Sequence, residues 1–165
     1  MTRRSTLTLT RIVLPGLAVL FTTALPQIGF AQSDPLIGTW KLNLAKSTYS
    51  PSPSPRSQTA TFQAEGKGLR ETLEAINAQG NPANGVFMIF DDGKSYPVTG
   101  NPAFDGQSFK RVNESTWWGI RTKAGKVVQT IILAVSADGK TETGTATGVN
   151  AAGQQFYNVG IYDKQ

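Results

Sequence analysis

The sequence contains no cysteine and no histidine among its 165 residues. Without cysteine the chain cannot form a disulfide cross-link, so burial of apolar side chains in a core must stabilise the fold. The same two absences exclude zinc sites built on histidine or cysteine, thiol nucleophiles, and serine triads that use histidine as the base. Most familiar hydrolase chemistry is thereby excluded.

Carboxylates are the remaining candidates for acid–base chemistry, and their spacing does not favour it. Glu71 and Glu74 lie three residues apart in a predicted strand, so their side chains should face opposite sides. Asp91, Asp92 and Asp105 lack the alternate-residue spacing of an EF-hand calcium loop. We therefore predict no catalysis, no bound metal and no cofactor.

Residues 1–31 have the layout of an export signal. Three arginines without an acidic residue precede a short apolar run, and Gly29 and Ala31 fit a small-x-small cleavage rule. A retained membrane anchor is the alternative, but a spanning helix needs about 20 apolar residues. We predict cleavage after Ala31 and a periplasmic or extracellular protein without stable membrane insertion.

Two export routes fit this segment. The arginine pair at positions 3 and 4 resembles a twin-arginine signal, but Ser5 and Thr6 follow where a strongly apolar residue is expected. The Sec route is therefore preferred. Cleavage leaves residues 32–165, a length that fits one domain.

The net charge of +5 comes mostly from the arginines of the signal segment. The rest of the chain is near neutral and has no basic run interleaved with aromatics, so we predict no nucleic-acid partner. We expect a monomer.

Residues 32–165 show one recurring sequence pattern. Short segments rich in Thr, Val, Ile, Phe and Tyr are separated by Gly, Asn, Asp and Pro. This pattern is typical of an all-β sandwich or barrel. The predicted strands are Leu36–Leu42, Gln58–Glu65, Leu69–Ile76, Gly85–Asp91, Gln107–Val112, Ser115–Thr122, Lys126–Ser136, Thr141–Gly148 and Gln155–Tyr162, with a shorter piece at Ser95–Val98.

Gly-containing turn sequences separate these runs and predict hairpin loops at residues 91–94, 123–126, 137–140 and 150–154. The segment 42–48 is expected to make one helical turn at most. The "SPSPSP" segment, 50–55, should be an extended, exposed connection between the first two strands.

Period-2 alternation places apolar side chains on both faces of 127–135 and 86–90, whereas 69–76 has a polar face. A sheet that curls on itself buries one face of every strand and removes exposed edges. We therefore predict an antiparallel up-and-down barrel of about eight to nine strands, in preference to a two-sheet sandwich.

A closed barrel of this size either fills its interior with side chains or holds one small ligand, and the sequence leaves both open. Where two neighbours in a strand compete for the interior, Phe87, Trp118, Ile132 and Tyr157 are the alternatives. The candidate ligand-binding residues are Phe62, Leu73, Met88, Phe109, Trp117, Ile131 and Phe156.

The Gly38-Thr39-Trp40 tripeptide, on the first predicted strand ahead of an antiparallel meander, resembles the lipocalin and wider calycin pattern. The resemblance implies that Gly38 and Trp40 close one end of the barrel and that Trp40 packs against a basic residue from a late strand. Arg121 and Lys164 are the candidate cations, with Arg111 behind them; we assign Arg121 to this closing group.

The chain also resembles a group of small exported bacterial proteins. The shared sequences are "GTWKLNLAKSTYSP", "YPVTGNP", "DGKTETGTATG" and a closing aromatic strand that ends "NVGIYDKQ". This resemblance implies no particular activity. The leading hypothesis is an exported lipocalin-like protein that binds a small apolar or amphiphilic molecule non-covalently. The alternative is a ligand-free structural domain of the cell envelope that contacts a protein or glycan.

Overall fold

A computed structural model describes residues 33–51, 53–150 and 152–165, so the predicted export signal lies outside the described residues. These residues form strands joined by short loops, with a single 3-10 turn at Leu44–Lys46. The strands are β1 (Gly38–Leu42), β2 (Thr48–Ser50), β3 (Ser57–Glu65), β4 (Gly68–Ile76), β5 (Gly85–Ile89), β6 (Tyr96–Pro97), β7 (Gly106–Asn113), β8 (Thr116–Lys123), β9 (Lys126–Val135), β10 (Thr141–Val149) and β11 (Gln155–Lys164).

The strands form one antiparallel sheet in the order β5-β4-β3-β1-β11-β10-β9-β8-β7-β6. The first and last long strands meet, with Trp40 opposite Lys164, so the sheet curls into a nearly closed up-and-down barrel. The predicted all-β fold, an antiparallel up-and-down barrel, is thus confirmed. The strand count exceeds the prediction because β2, which pairs with β11, lies in a segment expected to be a connection.

The seam of the barrel lies between β5 and the β6–β7 hairpin. Val86 and Thr99 exchange two backbone hydrogen bonds across it, with N–O distances of 2.9 and 3.1 Å. The buried Gln107 side chain adds a third link, because its amide nitrogen donates to the carbonyl of Met88 at 3.0 Å. Few backbone pairs bridge the seam, so side chains contribute to its closure.

The turns follow the sequence prediction with one exception. At the β8–β9 hairpin, Ala124 and Gly125 have φ of 48° and 73°, as a two-residue primed turn requires. The prediction that residues 91–94 form a hairpin loop is wrong. They link β5 to β6, which stand at opposite ends of the strand order, so this segment crosses the seam.

Cross-strand register fixes which face of each strand points inward. Directly paired residues share a face, and the buried row Phe62–Glu71–Phe87 crosses β3, β4 and β5. On the other side of the barrel, the buried Trp117 stands opposite Leu133. One alternating set of residues from every long strand therefore forms the core.

One end of the barrel is closed by Trp40, which is fully buried. Its indole nitrogen donates to the carbonyl oxygen of Leu36 at 2.7 Å, and the ammonium of Lys164 lies 4.8 Å from its ring centroid. The stacking cation is therefore Lys164, and the assignment of Arg121 to this group is wrong. Arg121 instead projects into the barrel, where its guanidinium lies over Phe87.

A second cation caps the same end. The guanidinium of Arg111 lies 4.1 Å from the ring centroid of Trp117 and forms an ion pair with Asp34. It also donates to the carbonyl of Glu114 at 2.8 Å. We call this end, around Trp40 and Trp117, the closed end. No helix in the described part of the chain has the length and hydropathy needed to cross a membrane.

Gly38 lies at a tightly packed position of the closed end. Its φ of 135° is unfavourable for other residues, and a Cβ there would lie 2.8 Å from Cε of Lys164. We expect Gly38→Ala to lower the free energy of unfolding by about 1–3 kcal/mol, measured by urea denaturation. In a Lys164→Ala background the clash is relieved and only the backbone strain remains, so the loss should shrink. An unchanged unfolding midpoint would contradict this account of Gly38.

Candidate functional site

A cavity of about 240 Å³ lies inside the barrel, in the half opposite the closed end. Leu73 and Ala75 of β4 form one wall, and Ile131 of β9 with Ala146 of β10 form another. The loop at 101–104 and Tyr49 of β2 lie at its mouth. The cavity therefore opens toward the loops that join β4 to β5 and β6 to β7.

Small residues on β10 and β11 create this space. Gly144 and Gly160 are directly opposite each other in the register, and both line the cavity. A Cβ on Gly160 would lie 2.8 Å from Cε2 of Tyr162, so the Tyr162 ring folds closely over that glycine. A Cβ on Gly144 would make only ordinary contacts, the nearest at 3.5 Å. Gly144 thus leaves room that a larger side chain would fill, whereas the space over Gly160 is taken by the Tyr162 ring.

A buried ion pair stands at the cavity wall. Arg121 of β8 lines the cavity, and its Nη2 lies 3.3 Å from Oε2 of Glu71 on β4. Its Nε donates to Oε1 of Gln107 at 3.3 Å. The guanidinium carbon lies 4.5 Å from the Phe87 ring centroid and 5.2 Å from that of Phe104. The cation is therefore held by a carboxylate, an amide oxygen and two aromatic rings.

Two further polar side chains in the interior have an oxygen without a hydrogen-bond partner among the described residues. Gln129 is 8% exposed and lines the cavity, and its Oε1 is buried and unpaired. Glu142 is 2% exposed, and its Oε1 is likewise unpaired. That Glu142 oxygen lies 3.5 Å from the position a Gly144 Cβ would take, so it is next to the cavity wall.

Burial controls the ionisation of these carboxyl groups. Desolvation, reinforced by the charge of Glu71, raises the pKa of Glu142 to about 8 despite the opposing effect of Arg121. Desolvation also raises the pKa of Glu71, but Arg121 opposes that shift from direct contact. One cation thus serves two buried carboxyl groups. We assign the negative charge to Glu71, which touches the cation, and the proton to Glu142.

The two tyrosines beside the cavity remain neutral across the physiological range. Burial raises the pKa of Tyr49 to about 12. Burial, followed by the charge of Glu142, raises the pKa of Tyr162 as well. Their hydroxyl groups therefore act as neutral hydrogen-bonding groups.

The structure distributes the predicted ligand-binding residues among four environments. Leu73 and Ile131 line the cavity. Phe62, Phe109 and Trp117 face the interior but are buried in the packed core.

Phe156 and Met88 occupy different positions. Phe156 is half-buried opposite Gly148, on the inward-facing set of β11, and does not line the cavity. The assignment of Met88 to the interior is wrong: it pairs with the exposed Arg70, while Phe87 and Ile89 on either side are fully buried. The interior position belongs to Phe87, the alternative weighed for Met88.

Sequence reasoning missed the polar half of the site. Gln129 and Arg121 are partners in the register of β8 and β9 and lie at the same level of the barrel. A signal for Gln129 was present, since it alternates with Ile131, Leu133 and Val135 on one strand face. A polar residue on an otherwise apolar inward face marks a group that needs a partner.

The carboxylates weighed in the sequence for acid–base or calcium chemistry lie in different surroundings. Glu71 is buried inside the barrel whereas Glu74 is exposed, as their spacing predicts. Asp92 accepts hydrogen bonds from the backbone of Lys94 and the hydroxyl of Tyr96, so it stabilises its turn. Within the described residues no group of three or more acidic side chains forms a potential metal site.

A larger depression of about 750 Å³ lies at the closed end. It is an open groove beside Ser33, the first described residue, and its lining includes Arg111, which is already paired with Asp34. The interior cavity, with its unpaired Gln129 oxygen, is the better candidate site.

Comparison with known proteins finds solved structures of low similarity and assigns neither a family nor a ligand. No protein-family model matches the sequence, and no curated protein matches it. The zebrafish ileal bile acid-binding protein, solved with cholic acid, is 10% identical; the match covers 79% of this chain and 99% of that chain, with a TM-score of 0.47. The siderocalin Ex-FABP, described as having dual ligand specificities, is 13% identical over 79% of this chain and 74% of its own, with a TM-score of 0.41.

Replacing only one member of the Glu71–Arg121 ion pair should destabilise the protein more than replacing both. Removing one partner of a buried pair leaves an uncompensated charge, so Glu71→Met should lower the free energy of unfolding by about 3–5 kcal/mol. The double variant Glu71→Met/Arg121→Met should recover most of that loss. Urea denaturation of the wild type, both single variants and the double variant measures the coupling; a loss below about 1 kcal/mol in both single variants contradicts a buried pair.

Glu142 should make stability fall as the pH rises. The unfolded carboxyl loses its proton near its ordinary pKa of 4.5 and the folded one near 8, so the free energy of unfolding decreases between these values. Glu142→Gln should therefore stabilise the protein by about 3–5 kcal/mol at pH 8.5 and change little at pH 4.

The measurement is urea denaturation at both pH values. The exposed Glu74 provides the control, because Glu74→Gln should have little effect at either pH. An equal effect of Glu142→Gln at pH 4 and pH 8.5 would contradict the assignment.

Proposed function

We propose that this protein binds one small amphiphilic molecule reversibly and non-covalently inside its barrel. The observation that carries the proposal is the cavity of about 240 Å³ between the glycine pair of β10 and β11 and the loop at 101–104. The barrel is thus packed at its closed end and hollow at the other. The size of the cavity and the apolar and polar side chains of its wall indicate which ligands it can bind.

The volume favours a small ligand. Typical small-molecule pockets span roughly 300–1,000 Å³, and this cavity is slightly below that range. A medium-chain aliphatic molecule or a single aromatic ring with a short substituent fits this size; a long-chain lipid requires the mouth at 101–104 to widen.

The wall chemistry favours an amphiphilic molecule. Leu73, Ile131 and Ala146 supply apolar surface. Arg121 and Gln129 supply polar groups on the same cavity. A molecule with an apolar body and one polar end can contact both parts, which agrees with the usual pattern of apolar pockets that carry a few polar groups.

Export completes the proposed function. We infer that the signal segment at 1–31 is removed after Ala31 and that the mature chain acts as a monomer in the periplasm or outside the cell. N-terminal sequencing of protein recovered from the periplasmic and culture fractions tests the cleavage, and light scattering tests the monomer. A product that keeps residues 1–31 in the membrane fraction would contradict export as a soluble protein.

A second candidate function is contact with a protein or a glycan through the barrel surface. Trp118 and Ile132 are partners in the register of β8 and β9, face outward, and are 42% and 40% exposed. An exposed apolar pair of this kind is common at interaction surfaces. This candidate does not require the cavity, so cavity-filling variants separate the two functions.

Filling the cavity should abolish binding. Ala146 lines the cavity and faces inward, so Ala146→Phe places an aromatic ring in the ligand volume. We expect isothermal titration with octan-1-ol, octanoate and octylamine to give a dissociation constant below 1 mM for at least one probe in the wild type, and none in the variant. Thr145→Phe on the outer face of the same strand is the control and should bind as the wild type does.

The outcome depends on both arms. If no probe binds to the wild type and native mass spectrometry finds no copurified molecule, ligand binding is wrong. If Ala146→Phe, shown folded by circular dichroism, binds as the wild type does, the site lies elsewhere.

A further inference from the structure

We propose that the cavity binds an anionic amphiphile through Nη1 of Arg121, and that the two buried carboxyl groups, Glu71 and Glu142, together take up a proton when this anion binds. The proposal rests on the proposed function, because it names the ligand class and the pH dependence of the same site. Two observations carry it: a buried guanidinium with one nitrogen left open, and an interior charge balance that an anion disturbs.

Arg121 leaves one guanidinium nitrogen available to a ligand. Its Nε donates to Gln107 and its Nη2 contacts Glu71, each at 3.3 Å. Nη1 has no hydrogen-bond partner among the described residues and, unlike the unpaired oxygens of Gln129 and Glu142, it is not completely buried. Because Arg121 is only 6% exposed and lines the cavity, we assign the accessible surface of Nη1 to the cavity. An anion can therefore contact Nη1 without displacing Glu71.

The charge on the cavity wall favours an anion. Within the described part of the chain, Arg121 is the only charged side chain that lines the cavity, whereas its partner Glu71 is buried behind the wall. A charged donor binds an anion about twice as strongly as a neutral donor binds a neutral acceptor. The apolar body of the ligand then lies against Leu73, Ile131 and Ala146. An ammonium head group would instead meet a like charge.

The interior has no net charge before the anion enters. Burial raises the pKa of Glu142 to about 8, so this group is protonated below that pH, and Glu71 and Arg121 cancel each other. Tyr49 and Tyr162 are neutral, because burial raises the pKa of both hydroxyl groups. A bound anion would therefore add one uncompensated negative charge to the interior, which is costly.

A proton taken up from solvent removes this excess charge. Burial already raises the pKa of Glu71 against the opposing effect of Arg121. A second anion on Arg121 raises it further, because like charges disfavour each other's ionised form. The charge of Glu71 also acts on Glu142, so the two carboxyl groups titrate as a pair. This pair gains a proton on binding, and affinity for the anion falls as the pH rises.

The first test counts the protons taken up on binding. Isothermal titration of the mature protein at pH 7 is repeated in PIPES and in Tris, which differ in ionisation enthalpy. Octyl sulfate is the probe, because it stays anionic and only the protein can accept the proton. We expect uptake of about one proton per octyl sulfate and none per octan-1-ol. An uptake below about 0.3 proton with octyl sulfate would overturn the coupling.

The dissociation constants should follow the same charges. At pH 6 we expect octyl sulfate to bind at least about fivefold more tightly than octan-1-ol, and octylamine to bind most weakly. Between pH 6 and pH 8 the dissociation constant of octyl sulfate should rise by up to about tenfold per pH unit, while that of octan-1-ol stays constant. Octan-1-ol binding as tightly as octyl sulfate at pH 6 contradicts the anion preference and leaves ligand binding intact.

Two double variants assign the roles of the side chains. Glu71→Met/Arg121→Met removes the cation, so it should bind octyl sulfate no more tightly than octan-1-ol. Glu71→Gln/Glu142→Gln leaves Arg121 without a buried counter-charge, so octyl sulfate should bind at least about tenfold more tightly at pH 7 and without proton uptake. Glu74→Gln is exposed and is the matched control, with wild-type behaviour expected. The urea unfolding midpoint shows which variants fold, and the wild-type proton count needs no variant.

The failure of this inference can be distinguished from that of the proposed function. If octan-1-ol binds to the wild type and octyl sulfate does not, the proposed function stands and the inference is overturned. A folded Glu71→Met/Arg121→Met variant that keeps the preference for octyl sulfate also overturns it, because the anion then contacts another group. If no probe binds to the wild type, the proposed function fails and the inference fails with it.

Discussion

The barrel depends on a chain of buried polar contacts that spans its seam. The Met88 carbonyl, the Gln107 amide, the Arg121 guanidinium and the Glu71 carboxylate follow one another across β5, β7, β8 and β4. The backbone bridges this seam at few points, so the polar chain supplies links that a regular ladder supplies elsewhere. Each group in a buried polar network supplies a hydrogen-bond partner to its neighbour. Removal of one group therefore leaves the next one buried without a partner, which destabilises the fold.

The polar chain also reaches the hollow half of the barrel. Arg121 is both a member of the network and part of the cavity wall. Its Nη2 contacts Glu71 and its Nε contacts Gln107, so the same side chain helps to close the seam and supplies a cation beside the cavity. A change at Arg121 should therefore affect both the stability of the barrel and the wall of the cavity.

Much of the fold was predictable from local pattern, whereas the site required tertiary information. Period-2 alternation and turn chemistry located the ends of the long strands to within two residues, because these signals are local. Alternation defines two faces per strand but not which face is inward, since a one-residue shift of register exchanges them. Met88 was placed inside for this reason, although Phe87 occupies the interior. Likewise, the stacking partner of Trp40 depended on the pairing of β1 with the end of β11. This pairing places Lys164 opposite Trp40.

Side-chain size along the strands explains why the barrel is hollow at one end only. Near the closed end the inward positions hold large groups, including Trp40 and Trp117, which fill the cross-section. Further along β10 and β11 the inward positions become Gly144, Ala146 and Gly160, while the strand spacing stays fixed by the backbone ladder. Because the barrel keeps its diameter, smaller inward side chains leave a void. Glycine within a strand also lowers stability relative to larger residues. Tyr162 folds over Gly160 and fills part of that void, so its ring forms part of the cavity wall and limits the space that the glycines leave.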